Sequence, residues 1–306
     1  MQKSDADLAV ATKLASAGPA PLTEAPAPAK TETRAIDPTP VGSIAAPPSG
    51  PAPTKVLNPA PAELVATIPA SMPQGLHDAA AAGDPAAQFE LASRLVDGRN
   101  VQRDAHVGAE WLERAATQGF APAQFRLGSL YEKGVGVARD IPLAKSWYKK
   151  AGDAGNARAM HNLAVLSAEG AGVKPDYSEA ADWFRKAARL GVKDSQYNLG
   201  ILYARGMGIA QDLSQSWFWF SLAAKQGDPD AAKKRDEVAA KMDAATLTAD
   251  TAELADFHPA TPDPLANDVP APPGGWDFAK MAAPQPSPTQ PRATATPAPA
   301  SHATAM

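Results

Sequence analysis

The stretch SEAADWFRKAARLG (Ser178–Gly191) recurs upstream as PLAKSWYKKAGDAG (Pro142–Gly155) and as HVGAEWLERAATQG (His106–Gly119), each copy with one tryptophan in the same place and a closing glycine. The step between copies is 36 residues, as from Trp147 to Trp183. A fixed period of that length is the signature of stacked repeats. Working outward, four columns share the phase: Trp111, Trp147, Trp183 and Trp219; Asp104, Asp140, Asp176 and Asp212; Gly98, Gly134, Gly170 and Gly206; and Gly83, Gly119, Gly155, Gly191 and Gly227.

Each unit reads as two helices. The first comes from DPAAQFELASRLVDG, APAQFRLGSLYEKG, ARAMHNLAVLSAEG and DSQYNLGILYARG, where apolar residues three and four apart mark one buried face. Leu91, Leu127, Leu163 and Leu199 lie on it, each followed by Ala92, Gly128, Ala164 or Gly200. Glycine inside a helix costs about 1 kcal/mol relative to alanine, so Gly128 and Gly200 point to tight packing. The loops GVGVARD, GAGVKPD and GMGIAQD end on an Asp placed to cap the next helix, and Glu179 and Gln215 three residues on add a capping-box pattern. The second helix runs through the tryptophan to a glycine suited to the left-handed C′ position. Gly108, Ala144, Ala180 and Ser216 keep the face before each tryptophan small.

One helix pair cannot bury both its faces, so the units must stack. The expected fold is all-α: a right-handed α/α superhelix, or solenoid, of four 36-residue helix-pair repeats. The units span about 84–119, 120–155, 156–191 and 192–227, with end caps at 71–83 and 228–257. PQGLHDAAAAG and DPDAAKKRDEVAAKM supply the caps, and a last short helix falls near TADTAELADF. Of the 31 prolines, fourteen precede Leu76 and twelve follow Asp256, so 1–70 and 258–306 read as disordered Pro/Ala-rich arms.

Composition excludes several functions. A net charge of -4 and a pI near 5.8 do not describe a chain built to neutralise nucleic-acid phosphates. There is no cysteine, hence no disulfide, thiolate zinc site or cysteine nucleophile. No apolar run reaches the roughly 18 residues a membrane span needs, so no membrane insertion by this chain is expected. The N-terminus MQKSDADLAVATKLASAG, with Asp5 and Asp7 ahead of its apolar part and Lys13 within it, is a poor secretory signal. The five histidines lack zinc-helix spacing, and His161 shares a column with Phe89, Phe125 and Tyr197, which makes it a packed substitute for an aromatic. No metal, cofactor or catalytic residue is expected. The GVGV, GAGV and GMGI loops lack the spacing and preceding strand of phosphate-binding motifs. The tryptophan column reads as core, whereas SWFWF (Ser216–Phe220) covers more than one helical face and reads either as buried by the end cap or as part of a contact patch.

One column suits binding. Glu90, Arg126, Asn162 and Asn198 precede the core leucines, and Asp97, Lys133, Glu169 and Arg205 lie seven further on, two turns along a similar face. If first helices line a concave side, Arg126, Lys133, Asn162, Glu169, Asn198 and Arg205 face the groove, and the asparagines suit holding an extended peptide. The alternative is plain solvated polarity.

The pattern from Leu127 to Ala151, Leu-Gly-x-x-Tyr-x-x-Gly-x-Gly-Val-x-x-Asp-x-x-x-Ala-x-x-Trp-x-x-x-Ala, resembles the Sel-one-like repeat, a relative of the tetratricopeptide repeat with a longer loop. Copy four matches with Met-Gly-Ile in the loop and Ser216 for Ala; copy one departs with GRNVQRD and Leu95 for Tyr, and copy three has Ser167 there. The resemblance implies a non-enzymatic scaffold or adaptor with a protein partner. NDVPAPPGGWDFAK and the Pro/Ala flanks are similar to the end of such regions in alphaproteobacterial polar localisation factors of the PodJ type, which lie in the periplasm behind a membrane anchor. That likeness implies a role in polar localisation or envelope organisation and a periplasmic place, against a cytoplasmic one without it. It also implies a second class of function, binding of peptidoglycan or a cell-wall enzyme, with Trp276 as a stacking anchor. A third class, enzymes, is reached through cysteine-rich relatives linked to β-lactam binding; zero cysteines and no Ser-x-x-Lys element argue against it.

Overall fold

A computed structural model describes residues 58–170, 173–272 and 275–276. Of the arms at 1–70 and 258–306 that the sequence reads as disordered, residues 1–57, 273–274 and 277–306 lie outside the described residues, as do loop residues 171–172.

Eight consecutive helices of 13 residues form the body: α3 (Pro85–Asp97), α4 (Ala105–Thr117), α5 (Ala121–Lys133), α6 (Ile141–Asp153), α7 (Ala157–Glu169), α8 (Tyr177–Arg189), α9 (Lys193–Arg205) and α10 (Leu213–Lys225). They are preceded by α1 (Ala62–Val65) and α2 (Gln74–Ala82). They are followed by α11 (Pro229–Ala239), α12 (Ala244–Asp256) and α13 (Pro264–Asn267). No strand occurs among the described residues. From α2 to α11 each helix packs chiefly on the next in chain order, which is the nearest-neighbour build of a solenoid.

Local chemistry sets the helix ends. The side chains of Asp104, Asp140, Asp176 and Asp212 accept from the amides of Val107, Leu143, Glu179 and Gln215, each satisfying one orphan donor of the first turn. The reciprocal half of the capping box does not form. Glu179 instead takes the Lys145 ammonium at 3.1 Å and the Ser167 hydroxyl at 2.7 Å, and Gln215 accepts from the Trp219 indole at 3.1 Å. The loop glycines Gly136 and Gly208 hold φ near +70° and press on the preceding repeat; a Cβ on Gly136 would meet the Ala105 carbonyl at 2.0 Å. Copy one places Asn100 at the matching position with φ of 60°, a left-handed turn that asparagine tolerates better than most residues.

The core divides into two clusters. The first gathers buried residues of α2 to α5 with Ile68, Met72, Trp111 and Trp147; the second runs from Ile141 on α6 to Leu254 on α12 and holds Trp183, Trp217 and Trp219. All four phased tryptophans are buried, with Lys150 and Lys186 lying over the rings of Trp147 and Trp183 at 3.9 and 3.7 Å. The SWFWF segment is buried throughout, and Phe257 closes it edge-on against Phe218 at 5.3 Å and Trp219 at 5.9 Å.

Both ends of the folded unit extend past the boundaries expected at 71 and 257. Upstream, Ile68 enters the core, Thr67 accepts from the Trp111 indole at 3.3 Å, and Arg114 donates to the carbonyls of Asn58 and Pro59. This segment supplies the wall that a preceding repeat would give Trp111. Downstream, residues 258–272 leave α12 and run back along the turns between repeats: Pro259 lies beside Gly191 and Ala266 beside Gly155. The prolines that mark this segment as an arm are compatible with an extended chain bound in place.

Candidate functional site

The exposed edges of the first helices α3, α5 and α7 form one polar row, fixed by contacts between neighbours, and Arg205 extends it on α9. On α3, Glu90 takes Arg94 at 2.8 Å and Arg99 at 3.2 Å, while Asp97 pairs with Arg126 of α5. The partly exposed Arg99–Glu90 and Arg126–Asp97 pairs are worth only about 0–1 kcal/mol each, so their effect is to orient the row rather than hold the fold, whereas Arg94 is buried. Further along, Tyr148 reaches from α6 between α5 and α7; its hydroxyl donates to Glu132 and accepts from Asn162 at 3.1 Å. Burial, the Glu132 charge and the hydrogen bond to Glu132 all push the Tyr148 hydroxyl far above its usual pKa, keeping it a donor. Although Glu169 on α7 is exposed, the partial desolvation of its carboxyl and the charge of Glu132 raise its pKa, so this part of the row is electronegative.

Of the six residues expected on the groove, Lys133, Glu169 and Arg205 are exposed, and Arg126 and Asn162 are half-buried and already hydrogen-bonded within the row. Asn198 is a correction. It is fully buried with partners inside the fold, and with no path to solvent its amide serves the interior rather than a ligand. Trp276, the expected stacking anchor, is half-buried against the first core cluster instead of presenting a free ring.

Two features escaped the sequence reading. Glu132 and Tyr148 lie off the phased binding column, and no single position signalled their meeting. Gln88, Gln124 and Gln196 do share the phase, each donating to the carbonyl eight residues back, at Ala80, Ala116 and Ala188. Gln118 and Gln226 extend two of these bonds by donating to Gln88 and Gln196. These amides tie a first helix to the end of the preceding second helix, and repeat three, with Met160 in that position, lacks the tie.

His161 is buried, 5.7 Å from the Phe184 ring, with Nδ1 2.8 Å from the Ser195 hydroxyl. Burial pulls its pKa down to about 4, against a smaller opposing pull from Asp194. Among the described residues no three His, Asp or Glu side chains converge to hold a metal, and no helix is long and apolar enough to cross a membrane.

The family model described as Sel1 repeat matches four consecutive segments, residues 85–120, 121–156, 157–192 and 193–228. A solved Sel1 repeat protein from Oxalobacter formigenes is 32% identical, with 57% of this chain and 74% of that chain covered and a TM-score of 0.49. A protective antigen of uropathogenic Escherichia coli strains that displays an SLR fold is 27% identical; the match covers 60% of this chain and 48% of that one, about half its length, with a TM-score of 0.40. No curated protein matches the chain.

Proposed function

We propose, from the premise that this chain belongs to the Sel1 repeat family, that it holds a protein partner on the face made by its first helices. Proteins of this family generally mediate protein–protein interaction and are typically non-enzymatic scaffolds. The observation that supports this surface is the polar row itself. It runs over four successive first helices from Glu90 to Arg205, while the phased tryptophans and the aromatics beside them are buried.

On this reading the row works by shape and hydrogen bonding on a rigid surface. Lys133 and Arg205 offer cations at the helix ends, Asn162 offers an amide, and the Glu132–Glu169 region favours a positive side chain of the partner, since a nearby cation relieves the repulsion between the two carboxylates. The polar-localisation and peptidoglycan readings rest on NDVPAPPGGWDFAK, and the half-buried place of Trp276 weakens the sugar-stacking version of them.

The test is a crosslinking pull-down from the host lysate with the full chain beside a quadruple variant, Lys133→Ala, Asn162→Ala, Glu169→Ala and Arg205→Ala, whose folding is checked by an unchanged melting curve. A partner captured by the parent and lost from the folded variant supports the surface. Equal capture by both moves the function to another face.

A further inference from the structure

The segment after Asp256, described at 257–272 and 275–276, does what no repeat can do: it touches units that are not neighbours. It starts in the second core cluster, where Phe257 packs on Phe218 and Trp219, and ends in the first, where Trp276 is half-buried. Between these anchors it is pinned to two successive turns. The Ala260 amide donates to the Arg189 carbonyl at 2.8 Å, at the end of α8. One repeat earlier, Asn156 and Asn267 share the start of α7 between them. The Asn156 side chain caps the Ala159 amide with its oxygen and donates from its nitrogen to the Ala266 carbonyl at 2.6 Å. The Asn267 side chain accepts from the Ala157 amide at 2.9 Å, one of the orphan donors of the helix start, and donates to the Gly155 carbonyl at 3.1 Å. Its helix α13 packs on α5, a contact that skips every helix between them in chain order.

The register is specific. Asn267 docks at the start of the one repeat in which Met160 has displaced the glutamine tie, so the segment supplies polar links where the repeat's own are missing. Its attachment is also light. Ala266 is buried, but its neighbour Leu265 is 71% exposed, so between the two anchors the segment is held mainly by hydrogen bonds.

We propose that this segment is a stay that couples the two halves of the solenoid and sets its curvature. In a stack whose stability is a sum over neighbouring interfaces, opening of one interface is felt only by the next. A strap fastened to α8, α7 and the first cluster makes bending at the intervening interfaces stretch or break its hydrogen bonds, so the repeats flex and unfold together. The inference is independent of which face binds a partner.

The chain contains no cysteine, so the paired substitutions Glu63→Cys and Lys241→Cys allow a donor and an acceptor to be placed on the two ends of the full protein. In this background Asn267→Ala and Trp276→Ala should each broaden the end-to-end distance distribution. Exchange of the Ala157 amide should rise about tenfold in Asn267→Ala, as expected for loss of its one acceptor. Ile141→Val, a core truncation on α6 away from the strap, serves as the control for general destabilisation. Distributions in Asn267→Ala and Trp276→Ala as narrow as the parent's would overturn the proposal, as would an equal broadening by Ile141→Val.

Discussion

Gly200 on α9 faces the ring of Phe220 on α10 so closely that a Cβ there would lie 2.9 Å from two of the ring's carbons. Gly128 and Tyr148 repeat the relationship at 2.8 Å in the second unit. In the second and fourth units the glycine after the core leucine therefore makes room for the aromatic that follows the phased tryptophan. Alanine at position 200 would gain about 1 kcal/mol of helix propensity, while overpacking a rigid buried ring costs about 1–3 kcal/mol. Gly200→Ala should accordingly destabilise by up to about 2 kcal/mol in urea denaturation, and Phe220→Leu in the same chain should make the glycine substitution cheaper. Additive costs for the pair would contradict the packing.

Asp140 holds the first turn of α6 through one side-chain bond to the Leu143 amide at 2.9 Å. Asp140→Ala should cost about 1 kcal/mol, and Asp140→Asn, which keeps an acceptor, much less. Comparing the melting temperatures of the two variants separates capping from any effect of the charge.

Gln196 is fully buried, donates to the Ala188 carbonyl at 3.1 Å and accepts from Gln226 at 2.8 Å. Truncation leaves buried polar groups unpaired, at roughly 1–3 kcal/mol. Gln196→Ala should therefore lower the urea midpoint well beyond what the small loss of apolar area explains. An effect no larger than that of an exposed substitution such as Lys233→Ala would show that the tie between α8 and α9 carries little.

What the repeat states several times over can be read from one chain. The tryptophan, aspartate and glycine columns recur in a fixed phase, and each has a local task that its residue type performs wherever it stands. The same phase marks Gln88, Gln124 and Gln196, but Met160 interrupts them and the amides' targets are backbone carbonyls. The returning strap has no phase, because it occurs once and is fastened through the carbonyls of Arg189 and Ala266, which any residue would offer. Asn198 misleads for the opposite reason. Its column mates Glu90, Arg126 and Asn162 are all at least partly exposed, whereas Asn198 is fully buried.

His161 gives this solenoid a pH dependence with a defined sign. Its ring lies between Ser195 and Phe184, with Asp194 nearby and Nε2 buried without a partner among the described residues, so burial makes the imidazolium unwelcome. In the folded protein its pKa falls from 6.5 to about 4. Above pH 6.5 neither state carries the proton, and the histidine leaves stability unchanged. As pH drops below 6.5 the unfolded chain takes up the proton first, so stability declines until about pH 4, where the folded state protonates as well. The gap corresponds to about 3 kcal/mol over that window. Phenylalanine occupies the same column in the first two units, so the double substitution His161→Phe with Ser195→Ala replaces the pair without stranding the hydroxyl. Urea midpoints at pH 7.5, 5.5 and 4 should fall less steeply for this variant than for the parent, the carboxylates contributing equally to both. Parallel slopes would mean that His161 accepts its proton in the folded state as readily as in water.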